Sequence, residues 1–340
     1  MASVFGNNIK LSIFGQSHSD AIGISFDGLP CGFQIDMEKL QIFLDRRAPG
    51  RNTLTSKRSE NDKPEFVSGL FDGKTCGAPI AAFIYNEDVK SEDYDDIKDS
   101  PRPSHADFTA QCKFRGYQDY RGGGHFSGRL TVALCVAGGI AIQMLERNGI
   151  TVKAALETVY GNSSGIDELI AEAISEGDSL GGNIVCSIEG IPCGVGEPMF
   201  DGLENRISQA VFAIPAVKGI EFGDGFHLSE LRGSEARDEY IMSDGKIAIT
   251  GNHNGGILGG ISTGETVNFR VCIKPTPSIS MPSKSVSFSR GENVELKISG
   301  RHDPCIAVRA VPCIEAAAAI AVLDLMIGDI NFSGRFVFND

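Results

Sequence analysis

The stretch LTVALCVAGGIAIQML, residues 130–145, and its distant counterpart CIAVRAVPCIEAAAAIAVLDLMI, residues 305–327, decide the kind of fold this chain can adopt. Both are apolar nearly all round, the composition of helices covered on several sides. Neither reads as a membrane span. The first falls short of the ~20 apolar residues a bilayer needs and contains Gln143; the second carries Arg309, Glu315 and Asp324. They are expected to form an inner layer between sheets.

Outward from these helices, alternating or apolar runs at 9–14, 22–26 and 79–85 predict strands, and 36–46 a helix with Asp36 as N-cap. A long polar loop is expected over 86–125 and the first apolar helix over 127–147. Strand and helix then recur at 152–160, 166–176, 182–190 and 203–212. A glycine-rich loop at 223–260, a strand at 266–274 and a helix after Asp303 complete the reading. Without a strict βαβ alternation, the class is α+β.

The chain has 340 residues and a net charge of −13. That charge argues against a general nucleic-acid binder, which needs excess Lys and Arg to displace counterions from phosphates. An anionic ligand must therefore meet a local cationic pocket, and arginines do cluster at Arg46, Arg47, Arg51 and Arg58, then at Arg102, Arg115, Arg121 and Arg129. The nine cysteines show no CxxC spacing and read as reduced thiols, mostly core filler; no metal site is expected. MASVFGNNIKLS (1–12) lacks the long apolar run of a secretory signal, so a cytoplasmic, membrane-free location is expected.

Three generic signatures nearly match. GLFDGKT (69–75) has one residue too few between its glycines for a P-loop, so a turn between strands is the plainer reading. GQSHS (15–19) resembles a nucleophile elbow but ends in Ser where Gly is wanted. No GxGxxG stands between a strand and a helix, so a nicotinamide domain is unsupported.

Chemistry concentrates instead in GQSH (15–18), RPSHAD (102–107), YRGGGHFSGR (120–129) and GRHDP (300–304). Histidines recur here among arginines, and His is the side chain best placed to trade protons near neutral pH. Ser127 and Asp303 also sit where N-caps belong, with Pro304 at the favoured first helical position. A helix N-terminus facing a ligand binds anions, so Ser127 with Arg129 is a plausible phosphate or carboxylate grip.

GQSHSDAIGISFDGLP (15–30), RGGGHFSGRLT (121–131) and GRHDPCIAVRAVPCIEA (300–316) resemble, in order and separation, the three signature regions of chorismate synthases. DRRAPG (45–50), RPSHAD (102–107), AVKGIEFGDGF (216–226), NHNGGILGGIS (252–262) and KPTPS (274–278) resemble that family's other segments, so the likeness covers essentially the whole chain. It implies a single domain over 1–340, a β-α-β sandwich with helices layered between two antiparallel sheets, and a homotetramer. The implied reaction is an anti-1,4-elimination that takes 5-enolpyruvylshikimate 3-phosphate to chorismate and phosphate and requires reduced FMN. An external flavin reductase is a possible partner, since the sequence does not show whether NAD(P)H is used directly.

Carried over by position, His18 is implied as proton donor near the departing phosphate, His105 as proton partner of the flavin, and Asp303 as the acid beside flavin N5. The substrate's anions fall to Ser17, Arg47, Arg102, Ser127, Arg129 and Arg301. The flavin falls to His125, Phe126, Ser127, Pro215, Ala216, Gly259, Lys274, Pro275, Thr276, Pro277, Ser278 and Arg301. The family's usual Arg-Ser-Ser-Ala-Arg-Glu-Thr is here His125-Phe-Ser-Gly-Arg-Leu-Thr131, and a second arginine is replaced by Thr53. Two other classes remain open at this point: a flavin- or phosphate-binding protein without the lyase step, and a Ser/His hydrolase built on Ser17.

Overall fold

A computed structural model of the chain describes residues 3–50, 61–87, 98–298 and 303–338. The first apolar stretch forms α3, Thr131–Glu146, and the second forms α6, Ala307–Gly328. Every residue of α3 from Thr131 to Leu145 is buried. These helices are long and apolar enough to cross a membrane, yet 94% and 83% of their apolar windows are enclosed by the protein itself. They are the core.

One antiparallel sheet is built from β1 (Val4–Phe5), β2 (Lys10–Gly15), β3 (Ala21–Asp27), β4 (Glu65–Ser68) and β5 (Ile80–Tyr85), in the order β1-β2-β3-β5-β4. Its register sets Ile13 opposite Ile24 and Ile22 opposite Ile84, and β3 at the centre is buried along most of its length. A second antiparallel sheet orders β8 (Val217–Phe222), β9 (Val267–Ile273), β7 (Gly182–Glu189) and β6 (Thr151–Val159) side by side. Buried residues alternate along β7, which pairs Ile184 with Val271 and Cys186 with Phe269, so one face turns inward. Helices α3 and α6 lie between the sheets, α3 against β2 and β3, α6 against β6 and β7. With α1 (Met37–Arg47) and α5 (Leu203–Val211) packed on α6, this is the expected sandwich.

Glycine sets the spacing of the inner layer. A Cβ on Gly138 would sit 2.2 Å from Cβ of Ala316, so the two helices approach at distances no larger residue allows. Ionised groups in the core are paired with opposite charges, although Arg206 Nε is buried without a hydrogen-bond partner among the described residues. Asp324, buried in α6, accepts from the amides of Asn7, Asn8 and Ile9 and from Arg206, pinning the N-terminal segment onto the helix. Glu315 takes a two-pronged contact from Arg46 and caps the Ala154 amide.

Several expectations need correction. The polar loop over 86–125 contains α2 (Asp107–Phe114), a short helix that buries only Ala110 and so carries no apolar period to read. The glycine-rich loop contains a hairpin, Tyr240–Ser243 with Lys246–Ile249, turning at Asp244 and Gly245 with positive φ at both. The last helix begins at Ala307, not at Pro304; Asp303 does not cap it but pairs with Arg309 at 2.5 Å. The first apolar helix is preceded by a separate 3-10 turn, Gly128–Leu130, capped by Ser127. Cysteines are not mostly core: Cys31, Cys76, Cys112, Cys193 and Cys272 are exposed. The segment 69–75 is a hairpin turn pairing Leu70 with Thr75, so the phosphate-loop likeness has no structural basis.

Candidate active site

Three of the four chemistry-bearing segments converge on the glycines of Arg121–Phe126. Gly122, Gly123 and Gly124 all take positive φ. A Cβ on Gly122 would lie 2.6 Å from the ring of His18 and 2.7 Å from Ser17 Oγ; one on Gly123 would lie 3.3 Å from His105 Nε2. The loop therefore threads between the two histidines where a side chain would not fit. Ser17 and His18 are buried, and the Ser17 amide donates to the Gly124 carbonyl at 3.1 Å.

The segment 102–107 forms a closed charge network. Arg102, 5% exposed, donates from Nε (2.7 Å) and from a terminal nitrogen (2.9 Å) to Asp107, and from the other to Ser278 Oγ at 3.3 Å. His105 Nδ1 lies 2.7 Å from Asp107 Oδ1. With Nδ1–H donating there, the Nε2 lone pair faces Gly123. Burial lowers the His105 pKa below its usual 6.5, and Arg102 and Lys274 add to that against the opposing Asp107 contact. The neutral form of the ring is thereby favoured. Arg102 and His105 likewise hold the Asp107 carboxyl well below its usual range despite burial.

Segment 274–278 docks on this network. Lys274 Nζ donates to the Ser104 carbonyl at 2.6 Å, and its amide donates to the carbonyl of Ala216, a non-glycine residue at φ 72° beside Pro215. A small pocket bounded by His105, Asp107, Asp119, Gly123 and Phe126 opens beside it. A wider groove of about 630 Å³ lies elsewhere, on the second sheet between Lys153, Glu157, His227 and Arg270, and none of the candidate residues lines it.

Behind the glycine loop stand the other arginines. Arg47, 3% exposed, donates to Asp62 at 2.8 Å, to Thr131 Oγ1 and to the Gly128 carbonyl. Arg129 pairs with the same Asp62 and donates to Asn86 Oδ1 at 2.9 Å, while its amide donates to Ser127 Oγ at 3.3 Å. Asn86 in turn donates to the carbonyls of Gln16 and Ser19, tying this cluster to the His18 turn. Arg309 joins Asp303 to the Arg47 carbonyl.

A family model described as chorismate synthase matches residues 9–327. The chain belongs to the chorismate synthase family. Among relatives, the chorismate synthase of Korarchaeum cryptofilum is 43% identical, with 94% of this chain and 96% of that one covered. Those of Thermococcus kodakarensis and Chitinophaga pinensis are 42% and 44% identical, over 94% and 95% of this chain and 96% of each of theirs. A solved chorismate synthase crystal structure shares the fold with a TM-score of 0.75 at 23% identity, covering 98% of this chain and 96% of that one.

Within this family frame, the structure brings Ser17, His18, His105 and Ser127 around the loop, sets Arg102 and Lys274–Ser278 beside them, and places Arg47, Arg129 and Asp303 in the adjoining cluster. Gly259 belongs to a hairpin of its own. That residue stands in the turn between Ile257–Leu258 and Ile261–Ser262, with open space at its Cβ position, while neighbouring Gly260 packs on Glu197 and Gly202. His125 commits both ring nitrogens, to the Gly15 carbonyl (2.8 Å) and Ser3 Oγ (2.9 Å), and Phe126 packs on Phe114. Arg301, Arg51, Thr53 and Arg58 lie outside the described residues. Sequence reasoning missed Asp62, Asn86 and Arg309. Asp107 has a readable signal, an acid shortly after an arginine and a histidine.

Proposed function

We propose that this chain catalyses the anti-1,4-elimination of phosphate from 5-enolpyruvylshikimate 3-phosphate to give chorismate, with reduced FMN as cofactor and the Gly122–Ser127 loop at the centre of its active site. The observation that carries the site is the convergence of His18 and His105 on the two sides of that loop. The reaction removes a phosphate and a C6 hydrogen with no net redox change. At this site the reduced cofactor would supply transient electron density for C–O cleavage, with none consumed overall.

The residues present fit that cofactor. Thr276 Oγ1 is buried with no hydrogen-bond partner among the described residues, in the segment that also carries Lys274 and Ser278. A flavin phosphate would meet the unmatched hydroxyl and the ammonium together. With its ring nitrogens engaged, His125 would serve the cofactor through its backbone. His105, its neutral form favoured by burial and its Nε2 toward the loop, can accept a proton there.

Toward the substrate, Arg47, Arg129, Ser127 and Arg301 bind its carboxylates and phosphate, and His18 beside Ser17 supplies a proton to the departing phosphate. Arg102, engaged by Asp107 and Ser278, acts by orienting His105. Asp303, fixed by Arg309, would assist removal of the C6 hydrogen. We read 1–340 as one domain because a single apolar cluster runs through both sheets and the helices between them. A homotetramer is supported by the exposed apolar hairpin carrying Tyr240, Ile241, Met242 and Ile247.

Asp303→Asn tests the assignment. Turnover should fall by about 100-fold or more, while FMN and substrate binding persist. Turnover near the wild-type rate would remove Asp303 from the mechanism.

A further inference from the structure

We infer that Asp62 is a positioning residue for the substrate's anion subsite, holding Arg47 and Arg129 as a preset pair of guanidiniums; the inference rests on the elimination reading above. Asp62 is 2% exposed and divides its carboxylate between the two arginines: Oδ2 accepts from Arg47 at 2.8 Å and Oδ1 accepts from Arg129. Each arginine is then fixed from two further directions. Thr131 Oγ1 and the Gly128 carbonyl accept from Arg47; Asn86 Oδ1 and the Tyr85 carbonyl accept from Arg129. All of these acceptors lie at the N-terminal approach to α3 or at the end of β5, so the pair is held by the inner helix layer and the first sheet together.

Two points favour positioning over simple scaffolding. A buried Arg–Asp–Arg bridge contributes little net stability, because desolvating its charges offsets most of their attraction. Its effect is on geometry. Secondly, a third buried cation, Arg309, donates to the Arg47 carbonyl and loses proton affinity through burial and the field of Arg47. Without the Asp62 charge, Arg47 and Arg129 would face one another with no shared counter-ion, beside an Arg309 only partly offset by Asp303, and would splay. An incoming phosphate or carboxylate would then have to gather them itself.

The test is Asp62→Asn in the full chain, with chorismate formation followed anaerobically with reduced FMN. Asparagine keeps the shape but removes the charge and presents an NH2 to one arginine. KM for 5-enolpyruvylshikimate 3-phosphate should rise about tenfold or more while kcat changes less and FMN affinity stays as in wild type. In an Arg129→Lys background the same change should add less than in wild type, because a single ammonium no longer spans Asp62, Asn86 and the Tyr85 carbonyl and the preset geometry is already lost. A folded Asp62→Asn protein with KM within about twofold of wild type, or with an effect that multiplies fully onto Arg129→Lys, overturns the proposal. If Asp62→Asn does not fold, Asp62→Glu decides: it retains the charge but moves it by a methylene, so KM must still rise. An unchanged KM for that variant likewise overturns it. Failure of the wild-type protein to turn over at all would instead remove the elimination reading.

Discussion

His105 owes its chemistry to what surrounds it. Burial, with the cations of Arg102 and Lys274, depresses its pKa below 6.5 although Asp107 pulls the other way. The unfolded chain therefore takes up a proton as pH falls through about 6.5, before the folded protein does. Stability tied to this group is present above that value and lost as pH drops toward the lower folded value. Lys274→Met removes one depressing charge, so the His105 pKa should move upward; an NMR titration of the ring reads this directly, and no shift would mean that Lys274 does not act on it. At this scale much of the site was legible. RPSHAD and RGGGHFSGR announced themselves because cations, histidines and glycines crowd into a few positions. Asp62 was not legible: it stands in an ordinary polar run, and only the folded chain brings Arg47 and Arg129 to it.

At the scale of elements, the contact between α3 and α6 sets the geometry of everything mounted on it, including the Arg47 and Arg309 cluster. Gly138→Ala would place a methyl 2.2 Å from Ala316 Cβ and 2.4 Å from its Cα, a clash with backbone. It should destabilise the protein by about 1–3 kcal/mol or displace a helix. The neighbouring Gly139→Ala meets first the tip of Leu40, a side chain that can turn aside, and should cost less. Thermal melts of the two variants check the order, and equal effects would contradict this account of the packing. Both apolar helices were readable because helices buried on all sides need no polar face. Short α2 was not, since it buries one residue. The hairpin at 240–249 did carry a turn signature, Asp244-Gly245 between apolar runs, but the surrounding glycines masked it.

For the whole molecule, the likeness spread along the chain corresponds to a real convergence in space. Segments beginning at 15, 102, 120 and 274 meet at one glycine loop, and the segment around 303 reaches the adjoining arginines through Arg309. The acid-rich surface and the cationic interior are compatible because each buried arginine is held by a carboxylate or by backbone carbonyls. An account in which all this serves an elimination with reduced flavin is tested most directly by an anaerobic assay of the purified protein with chemically reduced FMN and 5-enolpyruvylshikimate 3-phosphate. Chorismate absorbance and phosphate release are followed together. The account predicts equal amounts of both products with reduced flavin and neither with oxidised flavin. Tight binding of both ligands without phosphate release would contradict it.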